Sequence, residues 1–282
     1  MYLITILLTF LLPGIISAVI LMIYMLIVTL QSGLDGLQGM GNILDHPFTL
    51  LVLVGIYYTF SFLFFYIAMR FIHKRSLISV ITIRSKINWR RIFKGAALWV
   101  SILAIFTIIT LFIDPGIYKF TFKLESFIIL LILSLIIFPV QSFFEELFFR
   151  GYLMQGFGIL SKKPVIPLLA TSIIFASLHW FNSDNFIFSL LILFNTFIVG
   201  LMLGIITLGE NSIETAAGIH IANNIYVSLI VNIPDAGLGD LPSVFSAPLD
   251  PASNILGTVL AVLITLIIIF WGKKDKLMDI AL

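Results

Sequence analysis

The sequence predicts an all-α polytopic membrane protein, a bundle of about eight transmembrane helices with a buried polar site. Three observations carry that expectation. Of the 282 residues, 60% are apolar and only 11% are charged, against about a quarter charged in an ordinary soluble domain. The mean hydropathy is +1.16. The apolar residues come in runs of roughly 17–25, long enough to cross a bilayer, without the alternation of a barrel strand. Such a composition cannot cover a water-facing surface, so it excludes a soluble enzyme, a nucleic-acid binder and a disordered chain. A formal net charge of +2 implies no acidic partner, and zero cysteines exclude a disulfide framework, a thiolate metal site and a cysteine nucleophile.

The runs fall at about 3–30, 48–72, 96–113, 126–152, 164–180, 186–208, 212–231 and 252–271. The first lacks a basic leader and is too long for a signal segment, so Pro13-Gly14 is expected to kink a retained helix. Three regions follow: N-terminal helices over 1–118, a core of spans four to seven over 119–232, and an outer loop, final span and basic end over 233–282. No soluble domain is expected on either end. Lys74, Arg75, Arg84, Lys86, Arg90, Arg91, Lys94, Lys162, Lys163, Lys273, Lys274 and Lys276 fall in alternate loops. The opposite loops carry Lys119 and Lys123 among Asp35, Asp45, Asp184, Asp235, Asp240 and Asp250. The positive-inside rule then places both termini in the cytoplasm. The stretch from Lys74 to Lys94 reads as that topology signal rather than as an anionic-lipid site.

Ionisable residues inside a span cost roughly 2.5–3.5 kcal/mol each at a helix centre, so by default they mark function. Span four reads Phe143-Phe144-Glu145-Glu146-Leu147-Phe148-Phe149-Arg150, span five ends Phe175-Ala176-Ser177-Leu178-His179, and span seven holds His220-Ile221-Ala222-Asn223-Asn224. His46, Arg70, His73 and Glu214 lie near span ends, where ionisable groups are expected. Neighbours on a helix point about 100° apart, so Glu145 and Glu146 cannot share a face. Glu146 and Arg150 have the favoured i, i+4 ion-pair spacing, which a buried arginine needs. Glu145, left without a local partner, has the character of a general base. His220 and Asn224 share a face and suit an oxyanion; Asn223 points elsewhere. Phe175, on the face of His179, is expected to pack, and Ser142 and Ser177 to bond between helices.

Depth is the test of this grouping. Glu145 and His179 each lie ~22–24 Å along their helices from the Lys162–Lys163 turn, whereas His220 is only ~14 Å past the turn near Asn211. His220 is therefore expected to be shallower unless tilt or a recessed turn closes the gap. Glu210 and Glu214 would be less costly there in a wet cavity. Gly200 and Gly204 form a G-x-x-x-G expected to pack internally. The loop from Pro234 to Pro251 reads as a connector.

Glu145-Glu146-x-x-x-Arg150, Phe175-x-x-x-His179 and His220-x-x-x-Asn224 together resemble the three-motif signature of the CPBP intramembrane proteases, also called the Abi or CAAX-protease family. The resemblance covers about 120–231. It implies an intramembrane endopeptidase acting on a membrane-associated peptide or lipidated protein, by CAAX-type, bacteriocin or signal-peptide processing. It further implies that Glu145 activates water with His179, that His220 and Asn224 hold the carbonyl oxygen, and that Glu146 and Arg150 support them. Glu145, His179 and His220 also offer the three ligands a zinc ion needs; a metal-free glutamate mechanism fits the same residues. The expected partners are the lipid bilayer and the peptide substrate, with no nucleic acid, in a bacterial plasma membrane. The competing readings are a non-proteolytic immunity or scaffold protein and, third, a proton-coupled transporter, whose internal repeats and broken helices are missing here.

Overall fold

The computed structural model describes residues 1–32, 47–161, 163–237, 239–273 and 275. Six of its helices are long and apolar enough to cross a membrane: α1 (Tyr2–Gln31), α2 (Phe48–Ile72), α4 (Trp89–Ile113), α5 (Leu124–Leu160), α6 (Val165–Asn182) and α7 (Phe186–Glu210). A short α3 (Ile78–Ile81) follows α2. The chain closes its bundle with α8 (Glu214–Leu229) and α9 (Pro251–Phe270). The expected runs are all helical, but α8 is not of spanning length. Asp35, Asp45, His46, Lys162, Lys274 and Lys276 lie outside the described residues.

The lipid-facing residues follow from the composition. Leu3, Leu11, Met22 and Leu30 of α1, and Ile105, Phe112, Ile132 and Ile136 further on, stay exposed on the outside of the bundle. Where the apolar pattern is interrupted, the helices adjust locally. In α1 a π-turn over Leu7–Leu11 precedes Pro13, whose ring crowds the carbonyl four residues earlier and lacks an N–H. The local adjustment there is a wide turn. Further π-helical stretches end α2, over Ala68–Ile72 with Arg70, and interrupt α5, over Leu147–Leu153, directly after Glu146 and containing Arg150.

The short helix α8 packs chiefly against α4 and α5, and its residues Thr215 to His220 are buried. Two glycines allow this. A Cβ on Gly218 would overlap the Ile92 carbonyl, and one on Gly95 would run into the Thr215 carbonyl. The α4 and α8 backbones thus meet directly, and α8 is walled off from lipid. Sixteen residues span only ~24 Å at 1.5 Å each, short of a ~30 Å hydrocarbon core. A helix that never faces lipid has no need of that length, and it can carry His220, Asn223 and Asn224.

At the basic end the α7–α8 turn is recessed. Asn211 takes the left-handed conformation there, φ 52°. The Ile213 N–H donates to the Ile81 carbonyl at 2.9 Å, so α3 lies across the turn. Glu214, fully buried, accepts from the Asn88 backbone N–H at 2.6 Å and from Arg84 at 3.1 Å. Glu210 accepts from Arg91 at 3.4 Å and from Thr215 at 2.6 Å. One expectation is corrected by this: Arg84 and Arg91 do more than signal topology, because they are ion-paired with Glu214 and Glu210.

The opposite end is closed by a small sheet of β1 (Lys119–Phe120), β2 (Val231–Asn232) and β3 (Phe245–Ser246). β3 is central, antiparallel to β1 (Phe120 opposite Phe245) and parallel to β2 (Asn232 opposite Ser246). Leu241 enters the core beside Leu51, Leu130 and Phe138. Ser243 Oγ donates to the Ser228 carbonyl at 2.5 Å. The segment read as a connector is a structural cap.

Candidate active site

The buried charges of α5 organise the site. Glu146 Oε1 accepts from Arg150 Nη1 at 2.8 Å and lies 2.8 Å from His220 Nδ1. The i, i+4 pair is present, and Glu146 does more than was expected of it, because it also orients the histidine of α8. Arg150 Nη2 donates to the Gly200 carbonyl at 3.3 Å, and its guanidinium lies 4.2 Å over the Phe175 ring. Gly200 makes room for this: a Cβ there would stand 3.3 Å from Nη2. Gly204 fits against Leu168 of α6, so the G-x-x-x-G packs within the bundle.

Glu145 is on the other face of α5, 4% exposed. Its Oε1 accepts from the Tyr58 hydroxyl of α2. Its Oε2 is buried without a protein hydrogen-bond donor and stands 3.5 Å from His220 Nε2. His220 therefore bridges the two glutamates, one on each ring nitrogen. The expected difference in depth is absent, because the recessed α7–α8 turn lowers His220 to the level of Glu145.

His179 follows the last α-helical turn of α6, with Nδ1 2.9 Å from the Phe175 carbonyl. A carbonyl only accepts, so Nδ1 carries the proton and Nε2 keeps its lone pair. The ring lies 4.9 Å from that of Phe175, which in turn meets His220 edge-on at 5.8 Å. Phe175 thus packs, as expected, between the two histidines.

Asn224 Nδ2 donates to Ser142 Oγ at 3.1 Å, and Asn223 Nδ2 donates to Asn224 Oδ1 at 3.2 Å. Asn223 turns away, as expected, and accepts from Trp99 Nε1 of α4 at 3.0 Å. Ser142 is the inter-helix serine anticipated, but Ser177 bonds to the Ile174 carbonyl of its own helix. Tyr58, Trp99, Gly95 and Gly218 escaped the sequence reading. Their signal, a polar-tipped ring or a glycine in an apolar span, has no meaning until its partner on another helix is known.

The donor types at Glu145, His179 and His220 suit zinc, and the Glu146 contact at His220 Nδ1 is the outer-shell support that zinc histidines commonly have. Among the described residues, however, no three His, Cys, Asp or Glu side chains converge to hold a metal ion. The trio does not fit a metal in this arrangement, and the steps below use the chain's own groups.

A bundle of membrane helices enclosing a carboxylate, two imidazoles and a carboxamide defines the class, a polytopic membrane protein with a hydrolase-like buried site. The comparisons give the family. The model of the Rce1-like type II CAAX prenyl endopeptidases matches residues 125–226. An uncharacterized protein of Bacillus subtilis strain 168, YyaK, is 34% identical over 239 residues, covering 83% of this chain and 79% of its own. The chain belongs to this CAAX-protease family, also known as CPBP, and is an intramembrane endopeptidase at the level the family defines. No solved structure matches it.

Proposed function

We propose that the chain hydrolyses a peptide bond of a membrane-associated peptide or lipidated protein with a glutamate-activated water. The observation that carries this is Glu145 Oε2, a buried carboxylate oxygen without a protein donor, 3.5 Å from His220 Nε2. Water bound there gives a proton to Glu145, and its oxygen forms a bond to the scissile carbonyl carbon. The carbonyl π pair moves onto oxygen, where donors aimed at the developing charge are worth most. Asn224 Nδ2 has a second N–H beyond the one given to Ser142. His220 donates from Nε2 only when both ring nitrogens are protonated, since Nδ1–H is held by Glu146.

When the tetrahedral intermediate collapses, the C–N bond breaks. The nitrogen takes the proton held on Glu145, with His179 Nε2 assisting the transfer, leaving a new carboxylate and a new amine. The basic end of the bundle, with Arg75, Arg84 and Arg91, supports a cytoplasmic orientation for that end, and the Bacillus subtilis relative supports a bacterial plasma membrane as the setting. The CAAX prenyl endopeptidases of the matching family suggest a lipidated C-terminal tail as one substrate; bacteriocin or signal peptides are the other class to be tried.

The test is proteolysis in native membranes. Wild type, Glu145→Gln and His179→Ala are incubated with a membrane-peptide library that includes farnesylated peptides, and new termini are read by mass spectrometry. New termini from wild type that both variants fail to produce are expected. Identical products from all three, with the variants folded and inserted, would replace catalysis by a binding or immunity role.

A further inference from the structure

We infer that Tyr58 is a positioning residue of the hydrolytic site. Its hydroxyl occupies Glu145 Oε1 and thereby commits Oε2 to the water. The inference rests on Glu145 being the base.

Tyr58 lies on α2, which packs along α5 but is outside the 125–226 region of the family match. Its phenol has one proton, and an ionised carboxylate only accepts, so the proton is directed at Oε1. The ring is held edge-on to Tyr57 at 5.1 Å and to Phe144 at 5.8 Å, so the hydroxyl is presented from a fixed place. Packing alone would be served by phenylalanine; a polar tip within a span calls for a partner.

The consequence for Glu145 is asymmetry. The last torsion of a glutamate is broad and nearly two-fold, so an unrestrained carboxylate would offer either oxygen to His220 and to water. With Oε1 engaged, the plane of the carboxylate is set, and the oxygen with no protein donor is the one facing His220. Misplacing a reacting group by about 1 Å can lower turnover about 100-fold.

The experiment compares wild type, Tyr58→Phe, Glu145→Asp and the double variant on the peptide that wild type cleaves fastest from the library. Tyr58→Phe is expected to lower kcat about 10- to 100-fold, with KM and the melting temperature in detergent close to wild type. In Glu145→Asp the carboxylate is withdrawn from the hydroxyl by one methylene, so adding Tyr58→Phe should change kcat little further. Full turnover in Tyr58→Phe while Glu145→Gln is inactive would overturn this inference and leave the function standing. Equal losses in both backgrounds would show that the hydroxyl does not act through Glu145. A wild type without cleavage, or an active Glu145→Gln, would overturn the function and this inference together.

Discussion

Neutralising Glu146 while keeping its shape should unbalance the whole buried cluster. Glu146→Gln leaves an acceptor for Arg150 Nη1 and His220 Nδ1, each now at 2.8 Å, but removes the charge that compensates a fully buried guanidinium. Removing one partner of a buried pair costs about 3–5 kcal/mol. At about 2–4 °C per kcal/mol for a chain approaching this size, the melting temperature should fall roughly 6–20 °C. Adding Arg150→Met removes the stranded charge, and replacing a buried pair by groups of matched volume is close to neutral, so the double variant should recover most of that loss. Cleavage should not recover, because His220 Nδ1 has lost the carboxylate that orients its ring; a misplaced reacting group can lower turnover about 100-fold. Thermal unfolding in detergent and peptide cleavage are measured on the same preparations. A Glu146→Gln variant that melts with wild type, or a double variant melting below the single, would refute the reading of a mutually compensating buried pair.

Gly218→Val should wedge α4 from α8, because its Cβ would overlap the Ile92 carbonyl; overpacking of about 1–3 kcal/mol or more should appear as poor accumulation in membranes. Gly257→Ala, with nothing near the added carbon, is the control, and unfolding in detergent should show it as stable as wild type. His73 packs between Thr5 Oγ1 and the Tyr152 hydroxyl, each at 2.9 Å. Burial, with the positive charge of Arg75 adding to it, holds its pKa below the usual 6.5. The unfolded chain therefore binds the proton more readily, so stability should be full above about pH 6.5 and fall as pH drops through that value towards the folded pKa. His73→Gln should flatten that part of a melting-versus-pH curve. Glu214→Gln should loosen the segment 82–88 over the α7–α8 turn, since the buried carboxylate accepts from both Arg84 and Asn88; faster limited proteolysis within 82–88 is the expected result.

Hydropathy, charge and helical spacing between them determined the all-helical membrane class, the helical runs, the Glu146–Arg150 pair and the shared face of His220 and Asn224. These are properties of a residue and its neighbours within one or two turns, and 3.6-residue geometry reports them without any other helix. The status of α8 was beyond that reach. Its hydropathy resembles a span, yet Gly95 and Gly218 draw it against α4 and hide it from lipid. The bridging of both glutamates by His220, the recessed turn that makes it possible, the Tyr58 bond to Glu145 and the cap over 231–246 each join segments far apart in the chain. Only tertiary structure decided them, because a single hydrogen bond or backbone contact between distant helices imposes no period on either sequence.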